Sequence, residues 1–295
     1  MQPSSPRSRV GHYLWRWTRL FAVGYLLVLL VLLLFENYLL YPAPRYPAGD
    51  WEAPNLPHEE VHFVSADGTK LHGWYFEHPQ PRAVVLYCHG NGDHVAYLGP
   101  HLAELRRTLG VSIFAFDYRG YGRSEGAPAE AGILEDAAAA RDWLARRAGV
   151  RPADLVLIGR SLGGGVVVDL AAAAGARGLV LQNTFTSLPD VAANIYPWLP
   201  VRLMMKNRYD SLAKIGRYQG PLFQSHGTRD ELVPLALGQK LFAAAPGPKR
   251  FFEHDGGHNS AEPPEYYGEL ARFLDELPAN SVSPPAMIAT PAPAD

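Results

Sequence analysis

Only one cysteine, Cys88, occurs in the 295 residues, which excludes an intrachain disulfide framework and any cysteine-rich zinc site. It ends the apolar run Ala83-Val-Val-Leu-Tyr-Cys88, the setting of a buried strand thiol rather than a reactive one. An excess of charge of either sign is also lacking. Lys and Arg total 27 and Asp and Glu 29, and the net charge of −2 gives no electrostatic reason to expect nucleic acid as a partner. No internal repeat is visible. What the chain does have is 47% hydrophobic residues, enough for one large domain with attachments.

Long apolar runs are absent except at the N-terminus, where Leu20 to Phe35 form sixteen residues without a charge. That falls short of the roughly twenty residues that span a bilayer. Trp15, Trp17, Tyr38 and Tyr41 extend it as interfacial aromatics. Arg7, Arg9, Arg16 and Arg19 precede the run with no acidic residue among them. The positive-inside rule then predicts a single-pass anchor over residues 1–40 with a cytoplasmic N-terminus and an extracytoplasmic remainder, periplasmic in a bacterium. A cleaved signal peptide is the rival reading, although no A-x-A site follows the run.

Residues 41–57 contain Pro42, Pro44, Pro47, Pro54 and Pro57 and read as an extended spacer, so removal of residues 1–40 is expected to release an active soluble domain. Residues 278–295 lack periodicity and read as a disordered tail. Between these ends, over 58–277, a hairpin (Glu60–Ser65 and Leu71–Phe76) precedes alternating strands and helices. The strands are Ala83–Cys88, Val111–Phe116, Leu155–Ile158, Gly178–Gln182, Leu222–Ser225 and Arg250–Glu253. The helices are Leu98–Thr108, Ile133–Arg147, Leu162–Ala174, Leu235–Ala244 and Glu265–Glu276. Such alternation predicts an α/β fold, a mostly parallel sheet covered on both faces. Residues 184–217 break the rhythm with Pro189, Pro197, Pro200 and an apolar set, reading either as a lid or as ordinary packing of a capping helix.

The most telling stretch is Asp154-Leu-Val-Leu-Ile-Gly159-Arg-Ser161-Leu-Gly163-Gly-Gly, a strand turning into a small-residue helix. This is the setting of a nucleophile elbow, in which Gly159 and Gly163 omit the Cβ atoms that would collide and Ser161 stands at the apex. Gly122-Arg-Ser124-Glu-Gly126 has the same form, but Ala-Pro-Ala follows it and no apolar helix begins there. Context therefore selects Ser161 over Ser124. A serine hydroxyl needs an imidazole to take its proton and a carboxylate to orient that imidazole. Asp230, beyond strand Leu222–Ser225, fits the acid, and His258, in the loop after Arg250–Glu253, fits the base. An oxyanion hole needs two backbone N–H donors. Leu162 supplies one at the helix N-terminus, and Asn91 of His89-Gly-Asn-Gly-Asp is the choice for the other. Asp117 and Arg119 are expected to hold their loop by hydrogen bonds, and His89 to brace its own.

HGNGDH (89–94), FDYRGYGRSEG (116–126), GRSLGGG (159–165), HGTRDELVP (226–234) and GGHNS (256–260), in this order, resemble the alpha/beta-hydrolase superfamily. More narrowly they are similar to single-pass membrane serine hydrolases that include eukaryotic protein depalmitoylases and bacterial relatives. LQNTFTSL (181–188) and YDSLAKI (209–215) strengthen the likeness. The resemblance, over about residues 58–276, implies an eight-stranded sheet, no cofactor or metal, and a triad of Ser161, Asp230 and His258. Relatives usually have Ala-x-Asn after HGN, where this chain has Gly92-Asp93-His94. The expected activity is hydrolysis of carboxylic esters or thioesters, of a small-molecule or lipid acyl substrate, through an acyl-enzyme. The alternatives are a peptidase of the prolyl-oligopeptidase-like branch and a non-catalytic binding protein on the same fold.

Overall fold

The computed structural model describes residues 6–53 and 55–279; residues 280–295 of the expected tail lie outside them. Eight strands form one sheet: β1 Glu59–Val64, β2 Lys70–Phe76, β3 Val84–Cys88, β4 Ser112–Asp117, β5 Val156–Arg160, β6 Gly178–Gln182, β7 Leu222–Gly227 and β8 Lys249–His254. Their order is β1-β2-β4-β3-β5-β6-β7-β8. The hairpin β1–β2 and the β2–β4 pair are antiparallel, and every pair from β4–β3 through to β8 is parallel.

The central strands are apolar throughout because both faces are covered. Helices α1 Pro6–Leu34 and α2 Glu36–Leu40 come first in the chain, followed by α3 Val95–Leu109, α4 Glu130–Ala148 and α5 Leu162–Ala174. The lid region then holds α6 Leu188–Ile195, α7 Val201–Met204 and α8 Ser211–Ile215, and the last helices are α9 Leu235–Ala244 and α10 Pro264–Asp275. One layer packs Ile133 and Leu144 of α4 and Val166 and Leu170 of α5 onto Leu86, Phe114 and Leu157. The other packs Leu102 and Leu105 of α3 and Leu270 and Phe273 of α10 onto Val85, Ile113 and Ile158. Cys88 is fully buried, and burial pushes its thiol pKa well up.

Two sequence expectations change, and one that was open is filled in. Helix α3 starts at Val95, not Leu98, because the Asp117 carboxylate on β4 accepts the Val95 N–H at 2.9 Å. The carboxylate caps the helix from across the fold, which no local pattern encodes. The stretch 184–217 is helical, with Ser187 and Asp210 side chains capping α6 and α8. The stretch 41–57 is not a free spacer. Tyr41, Trp51 and Ala53 are buried, Trp51 edge-on to Trp74 at 6.1 Å, and Arg45 bridges to Gly122. Proline fixes its own φ, but that says nothing about whether the backbone lies on a surface or spans a gap.

Helix α1 contains the apolar stretch His12–Leu34, long and apolar enough to cross a membrane and not buried by the rest of the protein. Helix α2 and the residue that follows it are fastened to the lid. The Glu36 carboxylate accepts the Lys206 and Asn207 backbone N–H groups, and Tyr41 Oη donates to Asn207 Oδ1 at 2.8 Å.

Candidate active site

All five elements that feed the site end at one rim, the carboxyl end of the parallel strands, where open α/β sheets gather ligands. Strand β5 delivers Ser161 into α5. The backbone there has φ +52° and ψ −115°, a sparsely populated region that costs about 1–3 kcal/mol and is held only by its surroundings. Three bonds hold it: Ser161 N–H to Gln182 O at 2.9 Å, Gly164 N–H to Ser161 O at 2.9 Å, and Thr184 Oγ1 to Ser161 O at 2.8 Å. The turn also demands its glycines. A Cβ on Gly163 would lie 2.0 Å from Cys88 O, and one on Gly159 would lie 2.3 Å from Gly163 O.

Ser161 Oγ lies 3.0 Å from His258 Nε2, and His258 Nδ1 lies 2.7 Å from Asp230 Oδ2. A carboxylate can only accept, so Nδ1 carries the proton and Nε2 is left free to accept from the serine hydroxyl. Asp230 is itself aimed: its Oδ1 accepts the Leu232 and Val233 N–H groups at 3.0 and 2.7 Å. Residues 161, 230 and 258 thus meet although β6, β7 and β8 separate them in the chain. Asn91 and Leu162 line the cavity beside Ser161. The Asn91 side chain is occupied, donating to Leu40 O at 2.6 Å and accepting from Tyr121 Oη at 2.7 Å. His89 packs at 3.9 Å from the Tyr118 ring and bonds Gly90 O, and burial lowers its pKa.

Two residues that sequence reasoning passed over hold this geometry. Asn183, at φ +47°, accepts the Gly227 N–H at the base of the Asp230 loop and donates to His258 O at 3.0 Å. Arg160 donates to the same carbonyl at 2.9 Å. Asn183 lies in LQNTFTSL at the end of β6, at the same rim, and that position was the available signal.

The other motifs stand apart. Ser124 Oγ donates to Asp117 O at 2.6 Å and accepts the His72 N–H at 3.0 Å, so its hydroxyl meets no imidazole. Asp117 also bonds His72 Nδ1 and Arg123 N–H, and Arg119 pairs with Asp136 and Asp67. Both residues hold their loop. Burial opposes charge on His72, but the Asp117 and Glu60 carboxylates outweigh it and raise its pKa. His94 stacks on Trp51 at 5.0 Å and Tyr97 at 4.0 Å, facing away from chemistry. Among the described residues, Glu60, His62 and His72 could bring ligand atoms together around a metal, but they lie on β1 and β2 at the sheet edge, not at the Ser161 rim.

Above Ser161 opens a cavity of about 200 Å³, walled by Phe185, Leu188, Val191, Ile195, Leu232 and Val233 among others, with no charged side chain in its lining.

Residues 79–214 match the family model described as serine aminopeptidase, S33. The chain is 42% identical to the uncharacterized protein Rv2307c of Mycobacterium tuberculosis over 69% of this chain and 73% of the relative. It is 31% identical to the alpha/beta hydrolase domain-containing protein WAV2 of Arabidopsis thaliana, covering 65% and 68%. The chain belongs to the alpha/beta hydrolases. This hydrolase is also 29% identical to the uncharacterized membrane protein YNL320W of Saccharomyces cerevisiae over 89% of this chain and 98% of the relative. Among solved structures, the Pyrococcus furiosus esterase Pf2001 superposes on it with a TM-score of 0.67 at 21% identity, covering 80% of this chain and 99% of the esterase. That likeness is one of fold.

Proposed function

We propose that this hydrolase is a membrane-anchored serine esterase or thioesterase working through an acyl-enzyme. The observation that carries the reading is the chain of contacts from Asp230 through His258 to Ser161, opening on an uncharged apolar cavity. His258 Nε2 takes the Ser161 proton as Oγ bonds the acyl carbonyl carbon. The oxyanion forms against the Leu162 and Asn91 N–H groups, the first at the positive end of α5. The bond to the alcohol or thiol leaving group then breaks, and that group departs with the proton from His258. A water gives its proton to His258 and its oxygen to the acyl carbon, and the acid leaves as Ser161 recovers its hydrogen. Asp230 keeps the imidazole in the right tautomer and stabilises its cation.

The anchor is α1, with Arg7, Arg9, Arg16 and Arg19 placing the N-terminus in the cytoplasm and the hydrolase domain across the bilayer. Retention rather than cleavage is supported by the Glu36 and Tyr41 bonds to the lid, which cleavage beyond Tyr41 would remove from the domain. The name of the yeast relative agrees with membrane attachment.

The matched family's description favours an aminopeptidase as the second reading. A free peptide amine would need an acidic partner, and the cavity lining has none. The assay that separates them compares p-nitrophenyl acyl esters with aminoacyl p-nitroanilides. Ester cleavage dependent on Ser161 is expected, and dominant anilide cleavage would overturn the reading.

A further inference from the structure

A second, larger cavity adjoins the first. It holds about 430 Å³ between the membrane helix and the lid, with Val28, Leu32 and Leu33 of α1 on one side and Trp198, Leu199 and Met204 on the other. Leu40, Ala192, Tyr196 and Met205 line both cavities, so the partition between them is four side chains. All four are half-buried or exposed, although Leu40 and Met205 also pack against the core. The one charged residue lining the groove is Glu36, and its carboxylate is taken up by the lid amides.

We infer that this groove is a lateral entrance through which the acyl chain of a bilayer-resident ester or thioester reaches Ser161. The inference rests on the serine-hydrolase reading and goes beyond it by naming the source and route of the substrate. One wall of the groove is the helix long and apolar enough to span a membrane, so the groove opens at the level of the lipid itself. The lid continues the apolar surface outward. Tyr196, Trp198 and Leu203 are exposed, Leu203 at 89%, and Tyr25 of α1 donates to Trp198 O at 3.0 Å. Aromatic side chains with one polar end suit the interface between headgroups and acyl chains. A chain sliding from the bilayer into this groove exchanges one apolar surrounding for another, and its carboxyl end points toward the cavity of Ser161. Helix α2, which follows the membrane helix, reaches the site directly, since Leu40 O accepts from the Asn91 side chain at 2.6 Å.

The test uses the full chain in phosphatidylcholine vesicles and compares p-nitrophenyl palmitate with p-nitrophenyl acetate. Leu199→Trp and Met204→Trp, which fill the groove, are expected to lower the palmitate-to-acetate rate ratio at least tenfold. Val64→Trp, at an exposed position on the edge strand β1 away from the groove, is expected to leave that ratio as in the wild type. A ratio unchanged in all three would overturn the entrance. Because a bulky variant can misfold, a second measurement uses the wild type alone. A palmitoyl-length fluorophosphonate with a diazirine at its tail end is expected to phosphonylate Ser161, with loss of fluoride, and crosslink to residues 25–40 or 196–205. Crosslinks only outside those segments would overturn the entrance while leaving the hydrolase reading intact. No labelling of Ser161, even by a short soluble fluorophosphonate, would overturn that reading and the entrance with it.

Discussion

Gly122-Arg-Ser124-Glu-Gly126 and Gly159-Arg-Ser161-Leu-Gly163 share one pentapeptide form and occupy opposite kinds of place. Both serines are nearly buried, at 6% and 9% exposure, so accessibility does not separate them. The partner of the hydroxyl does. Ser124 sits in a loop whose polar groups satisfy one another, and its proton goes to the Asp117 carbonyl. Ser161 is forced to the apex of a strained turn, and the acceptor it meets is an imidazole with an unshared nitrogen. The same residues stabilise a loop in one place and set a hydroxyl against an imidazole in the other. Surroundings, not motif, make the difference.

The comparison can be broken most severely at Ser161 itself. Ser161→Ala is expected to lower kcat for ester hydrolysis by about 10⁴-fold or more, with the fold intact by circular dichroism. A variant retaining a tenth of wild-type rate would break the distinction between the two serines. Asp230→Asn is expected to cost about 10⁴-fold in kcat, because an amide in place of the carboxylate favours the wrong imidazole tautomer. Asn183→Ala reaches the same atoms indirectly, by removing one of the two donors to the His258 carbonyl and the acceptor of the Gly227 N–H. It is expected to lower kcat by about 10²-fold with KM little changed, since misplacement by about 1 Å has costs of that size. A loss confined to thermal stability would make Asn183 purely structural.

Smaller effects sharpen the other half. Ser124→Ala is expected to leave kcat/KM within twofold and to destabilise the protein by about 1–3 kcal/mol, because the buried His72 N–H and Asp117 carbonyl lose a partner. Chemical denaturation measures it. Last is a pH effect behind the Ser161 rim. Burial pushes the Glu262 carboxyl up to about 7, the largest cause, against a lowering by Arg160. A raised carboxyl pKa stabilises the fold below its unfolded value of about 4.5, and that contribution is lost as pH rises through about 7. Glu262→Gln cannot ionise, so its stability is expected to fall less than the wild type's between those pH values. Equal slopes would show that Glu262 does not titrate there.

Much of this arrangement was legible from residue order. The β-branched run before Ser161 and the small-residue helix after it marked the elbow, and strand ends located Asp230 and His258. Asn183 and Arg160 were not legible, because their partners are backbone carbonyls and amides on loops brought close only by the finished sheet. Residues 41–57 misled for a related reason: proline reports backbone conformation and is silent about what that backbone touches. The seating of α1 on the lid was also hidden, since an all-round apolar helix carries no stripe that distinguishes a protein-facing side.

The most direct measurement is mass-spectrometric mapping of a fluorophosphonate adduct on the full-length protein. The phosphonyl group is expected on the peptide containing Ser161, in the wild type and in Ser124→Ala, and nowhere in Ser161→Ala. An adduct that survives removal of the 161 hydroxyl, or none at all on intact folded protein, would contradict the account.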